Sequence, residues 1–138
     1  MPTAQSMEAY LPRLLLVHDD AAGLEWLATA LESVAEVETC SSGESAVSRV
    51  ARKVYDIVVT DYVLPGMNGE ELLHAVSSRE PDAAGLLIAA SEEYRVGPRP
   101  RCHRVLLKPV EPSRLCATVR QLASIVKMRR TVSMIRDT

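Results

Sequence analysis

Four side chains in this sequence have the types and settings to act together on one oxyanion: Asp19, Asp61, Ser91 and Lys108. Each stands just beyond an apolar run of strand length. Leu14-Leu15-Leu16-Val17 leads to His18-Asp19-Asp20, Ile57-Val58-Val59 to Asp61, Leu86-Leu87-Ile88-Ala89-Ala90 to Ser91, and Val105-Leu106-Leu107 to Lys108. Carboxylates gathered at strand ends repel one another unless a cation sits among them. Magnesium suits such a place, because it takes hard oxygen ligands and needs only one or two carboxylates beside its waters and a phosphoryl oxygen. A carboxylate flanked by that cation and a lysine ammonium is an acceptable nucleophile toward a phosphoryl group, since the cations screen the approach of two anions. A serine hydroxyl can then donate to a transferred oxygen, and Lys108 can place positive charge on it. A lone aspartate after a strand is more often a cap or a solvated loop residue, and only the four together mark a site.

The elements that must position these groups follow from periodicity. Continuous apolar runs, rather than alternation, suit strands of a parallel sheet covered on both faces. Leu24, Leu27, Leu31 and Val34 recur at helical spacing, with Trp26 and Ala30 widening the stripe, so a helix is expected over residues 21–33 with Asp20 as its cap. Val37 to Cys40 is a short, weak second strand. Ser41-Ser42-Gly43-Glu44 offers a capping-box start to a second helix whose face is Ala46, Val47, Val50, Ala51 and Val54. Leu72, Leu73 and Val76 mark a short third helix beginning near Gly69. Leu115, Val119, Leu122 and Val126 mark the last, started near Pro112 and Ser113. Between Ser91 and His103, Pro98, Pro100 and Gly97 leave too few apolar positions, and the helix that belongs there is expected to be short or missing. Strand and helix alternating with short connections argue for a doubly wound parallel sheet of order 2-1-3-4-5. That order makes strands 1 and 3 neighbours and brings Asp19 to Asp61.

The bulk numbers narrow the class. At 138 residues, 47% hydrophobic and 25% charged with a net charge of -2, the chain suits one soluble domain and gives no reason to expect direct nucleic-acid binding. Cys40, Cys102 and Cys116 lack metal-ligand spacing and are expected as buried thiols in a reducing compartment. No apolar run reaches membrane-span length, and Met1 to Arg13 lacks the form of a signal peptide, so a cytoplasmic protein without membrane contact is expected. Residues 1–12 are expected as a flexible lead-in, 13–127 as the domain, and 128–138 as a tail or an extension of the last helix.

Taken together, Leu15-Leu16-Val17-His18-Asp19-Asp20, Asp61-Tyr62-Val63-Leu64-Pro65-Gly66-Met67-Asn68-Gly69, Ser91 and Leu107-Lys108-Pro109 resemble the receiver domain of response regulators in two-component signalling. The resemblance spans nearly the whole chain. It implies the flavodoxin-like five-stranded fold, Asp61 as phosphorylation site, Asp19, Asp61 and the Val63 backbone carbonyl as magnesium ligands, Ser91 as switch hydroxyl and Lys108 as the site lysine. It implies a histidine kinase or phosphotransfer protein as donor, a downstream target or fused output domain as recipient, and a homodimer as one arrangement. No enzyme activity is expected beyond promotion of its own phosphoryl transfer and a slow dephosphorylation, since Val63 offers no side-chain help to an attacking water.

Three positions depart from the family pattern. The register that turns Trp26, Leu27, Ala30 and Leu31 toward the core, rather than Ala28 and Glu32, puts His18 where the first of two acidic residues normally stands. Imidazole is a poor magnesium ligand, so a weakened metal site is expected unless Asp20 turns inward to replace it. Val105 stands where an aromatic residue often reports on the switch hydroxyl, with Tyr94 or His103 as substitutes, and Glu92 stands where a small residue is preferred. These departures motivate an alternative, a receiver-like interaction module that works without phosphorylation. A haloacid-dehalogenase-type hydrolase is disfavoured because Val63 occupies the place of its second aspartate, and a dinucleotide-binding domain because no glycine-rich cradle follows the first strand.

Overall fold

The computed structural model describes residues 11–90 and 104–137. Five strands, β1 (Arg13–Val17), β2 (Glu36–Cys40), β3 (Ile57–Asp61), β4 (Ala84–Ala89) and β5 (Arg104–Leu107), form one parallel sheet in the order β2-β1-β3-β4-β5. Four helices are seen among the described residues: α1 (Ala21–Leu31), α2 (Gly43–Arg52), α3 (Gly69–Arg79) and α4 (Pro112–Arg136). The expected short or missing helix between Ser91 and His103 lies outside the described residues.

Period-two alternation divides the apolar strands between two cores. Leu14 and Leu16 of β1, Ile57 and Val59 of β3, and Leu86 and Ile88 of β4 face α1 and α4, meeting Leu27, Leu31, Leu115, Val119, Leu122 and Val126. Leu15, Val17, Val58 and Leu87 face the other way, toward Ala46 of α2 and Leu72, Leu73 and Val76 of α3. Burying one such side chain stabilises by about 1.5–3 kcal/mol, whereas an exposed ion pair contributes about 0–1 kcal/mol. The two cores therefore set the sheet, and the sheet sets where its carboxyl edge presents functional groups.

Several expected faces are corrected. Trp26 is 48% exposed, so the buried stripe of α1 narrows to Leu27 and Leu31. The helix stops at Leu31, yet Val34 stays buried because the turn folds it back through the Val34 and Ala35 amides donating to the Leu31 carbonyl. In α2, Ser42 caps the Ser45 amide at 3.1 Å without a reciprocal glutamate, because Glu44 falls one position short of the third. Lys53 turns extended, at φ -144° and ψ 141°, which carries Val54 into solvent and delivers Tyr55 to the core. Ala51 is also exposed.

The last helix continues past the sheet. Arg130 donates to Asp56 Oδ1 at 2.5 Å and to the Tyr55 carbonyl at 3.0 Å, Asp56 Oδ2 accepts the Arg13 amide at 2.7 Å, and Ser133 donates to Asp82 at 3.0 Å. Residues 128–136 are thus helical and held beneath the amino ends of β1 and β3. No helix among the described residues is long and apolar enough to cross a membrane.

Candidate functional site

At the carboxyl edge, β3 ends on Asp61, paired in register with Ile88 of β4. The Tyr62 amide donates to the Ile88 carbonyl at 2.8 Å, and the Thr60 hydroxyl donates to the Asp61 carbonyl at 2.9 Å, so the backbone on both sides of Asp61 is fixed. The following turn is anchored by Leu64 and Met67, which pack into the second core. Gly66 takes φ +81°, a conformation that glycine adopts without penalty. Asn68 then caps α3 in a full capping box, its side chain accepting the Glu71 amide at 2.8 Å while Glu71 accepts the Asn68 amide at 2.9 Å. Gly69 closes the turn through its amide to the Tyr62 carbonyl at 2.7 Å. A Cβ there would lie 2.3 Å from the Asp61 carbonyl oxygen and 2.7 Å from Leu87 Cδ1, so only glycine lets α3 start this close to the strand end.

Asp61 is 5% exposed. Leu107 pairs with Ala89, and the Lys108 amide donates to the Ala89 carbonyl at 2.9 Å, which sends the Lys108 side chain back across β4. Lys108 Nζ stands 2.8 Å from Asp61 Oδ1. The approach is that of an ion pair, and its angles fall short of a hydrogen bond, so Oδ1 has a charge partner and no hydrogen bond. A buried carboxylate beside one lysine can accept an electrophile and keep its charge balanced.

The β1 end supplies the rest. The His18 amide donates to the Cys40 carbonyl at 3.2 Å, which fixes the exit of the strand. Asp19 follows with its side chain 45% exposed. Asp20 Oδ2 accepts the Gly23 amide at 2.8 Å and caps α1, so this oxygen takes the expected capping role. Among the described residues no group of three or more His, Cys, Asp or Glu is arranged to hold a metal. The donors that the family resemblance names, the carboxylates of Asp19 and Asp61 and the backbone carbonyl of Val63, are all hard oxygens, and Val63 itself is 48% exposed. That chemistry fits a hard divalent cation that keeps several waters, such as magnesium, and not a soft metal.

The sheet therefore brings Asp61 and Lys108 into contact and places Asp19 on the neighbouring strand end. Ser91, Glu92, Tyr94 and His103 lie outside the described residues. Val105 is half-buried against the second core. Thr60 and the link between His18 and Gly23 were not singled out by the sequence; Gly69 was expected at the start of this helix, and the structure adds the close backbone approach that requires a glycine there. Of the cysteines, Cys40 is a free buried thiol pushed up from its ordinary value chiefly by burial, Cys116 is free and half-buried, and Cys102 lies outside the described residues.

Comparison with known proteins gives a consistent answer. Residues 14–120 match the family described as the response regulator receiver domain. The response regulator receiver protein CpdR of Brucella abortus is 31% identical over 103 residues, covering 72% of this chain and 86% of that protein. The regulatory protein VanRB of Enterococcus faecalis is 33% identical over 82 residues, covering 59% of this chain. Several relatives are much longer: this chain spans 37% of VanRB and 8% of the sensor protein GacS of Pseudomonas syringae. A solved CheY-like receiver domain from Methanospirillum hungatei superposes with a TM-score of 0.78 at 22% identity, over 87% of this chain and 99% of that one. The relatives favour a phosphoacceptor fold over the phosphate-independent alternative, and the chain belongs to the response regulator receiver domain family of two-component signalling.

Proposed function

We propose that Asp61 accepts a phosphoryl group from a histidine kinase or phosphotransfer protein. The observation that carries this is the nearly buried Asp61 carboxylate with Lys108 Nζ at 2.8 Å. In the step, an Asp61 carboxylate oxygen forms a bond to phosphorus while the donor's nitrogen–phosphorus bond breaks and its electron pair returns to the donor imidazole. Magnesium, when bound, would neutralise charge on the phosphoryl oxygens. Asp19, Asp61 and the Val63 carbonyl would hold it. Once Asp61 carries the acyl phosphate and has lost its carboxylate charge, Lys108 would follow the charge onto the phosphoryl group. Ser91 would donate its hydroxyl to another oxygen. The partners on this account are the phosphodonor protein and, downstream, a target protein or an output domain on the same polypeptide, acting in the cytoplasm.

The experiment is phosphorylation with acetyl phosphate read by intact mass. One added phosphoryl group is expected in the presence of magnesium and none after chelation. Labelling that persists in Asp61→Asn would overturn the acceptor assignment.

A further inference from the structure

The turn from β1 into α1 is held from inside by the residue that departs most from the family pattern. His18 Nδ1 accepts the Asp20 amide at 3.0 Å, and Asp20 Oδ2 accepts the Gly23 amide at 2.8 Å. A neutral imidazole has one N–H and one lone pair. With the Nδ1 lone pair given to the Asp20 amide, the proton belongs on Nε2, and neither nitrogen has a lone pair left for a cation. Asp19 Oδ1 also lies 3.8 Å from Nδ1, beyond hydrogen-bond reach, so the Asp20 amide is the hydrogen-bond partner of that nitrogen. The ring is 13% exposed and lies against Gly23, where a Cβ would stand 3.0 Å from Cε1, 3.1 Å from Nε2 and 3.2 Å from Asp20 Oδ2. Residues 18, 20 and 23 thus interlock, and the absence of a side chain at 23 is what admits the ring.

We infer that His18 is a positioning residue that shapes the β1–α1 turn presenting Asp19 and would take no part in the coordination shell of a bound cation. The cation itself rests on the function proposed above; the role of His18 in the turn does not.

Long-range proton–nitrogen NMR on the intact chain reads the tautomer directly, with His18 distinguished from His74 and His103 by its loss in His18→Asn. The expected result is an Nε2–H ring that keeps its tautomer and nitrogen shifts when magnesium is added. An Nδ1–H ring, or a nitrogen shift that saturates with magnesium, would overturn the inference. Magnesium titrations followed by Trp26 fluorescence supply the second readout. The carboxamide oxygen introduced by His18→Asn can still accept the Asp20 amide, so affinity is expected to stay unchanged. His18→Leu removes the acceptor and is expected to weaken binding about fivefold, the equivalent of one net hydrogen bond. Equal losses in both variants would mark the ring as a ligand. Gly23→Ala is expected to lower Tm in the native background and much less in His18→Asn; equal losses in the two backgrounds would contradict the interlock. If no variant binds magnesium, the cation site fails, while the tautomer and the Gly23 coupling still decide the role of His18.

Discussion

Asp61 and Lys108 form an unequal pair: the carboxylate is 6% exposed and the lysine side chain 39%. The acidic partner is held in place, whereas the basic one has room to swing, as the proposed transfer of its charge from Asp61 to a phosphoryl group would require. Lys108→Ala is expected to keep the acceptor but slow labelling by at least about tenfold, as loss of one preorganised charge donor does. Labelling at the native rate would remove Lys108 from the mechanism. Val63 presents an exposed alkyl group two residues from Asp61, and an alkyl group cannot orient water. The phosphorylated form is therefore expected to decay slowly, and a decay as fast as labelling would count against this. Asp61 and Lys108 were legible in the sequence because an apolar run ending abruptly in a charge marks a strand end. The part played by His18 was not, because the direction of a ring lone pair depends on a backbone amide that only the folded turn supplies.

Elements present these residues through close backbone approach more than through side-chain bonds. The Cβ that Gly69→Ala would add meets a backbone oxygen at 2.3 Å, which cannot move without dragging Asp61. This substitution is expected to cost about 1–3 kcal/mol, as overpacking does, and to lower labelling as well; a stable variant with full labelling would contradict the account of this turn. At the far edge of the sheet, Glu38 on β2 is bound by Lys53, by the Tyr55 hydroxyl at 2.6 Å and by Arg49 at 3.3 Å. The Lys53 contact, followed by the Tyr55 hydrogen bond, holds the Glu38 carboxyl below its ordinary value of 4.5. A carboxylate whose value is lower in the folded state contributes stability that is full above the unfolded value and is lost as pH falls through the folded one. The Tm gap between the native chain and Glu38→Gln is expected to be present at neutral pH and to close on acidification through that range. A gap independent of pH would show that Glu38 acts by packing alone. Helix periodicity revealed that α2 exists, but its buried face was misjudged at Val54, because the chain leaves the helix at Lys53 and buries Tyr55 instead.

At the scale of the molecule, the same sheet carries a reactive edge and a braced edge. Topology was the most legible feature, since apolar runs separated by helical spacing allow few parallel arrangements, and the observed order β2-β1-β3-β4-β5 is the one expected. The brace was not legible: Arg130 is 74 residues from Asp56, and nothing in the sequence pairs the two until the fold joins them. Arg130→Ala is expected to destabilise by about 1–3 kcal/mol through lost charge-assisted hydrogen bonds, without changing labelling, because the brace lies at the opposite end of the strands. A labelling defect there would mean that the two edges are coupled. Magnesium-dependent acceptance of a phosphoryl group by Asp61 is the central proposal. Intact-mass analysis after acetyl phosphate treatment, with and without chelation, tests it most directly. One phosphoryl group on the native chain with magnesium, and none on Asp61→Asn or after chelation, is the predicted result; no added mass on the native chain with magnesium would contradict it.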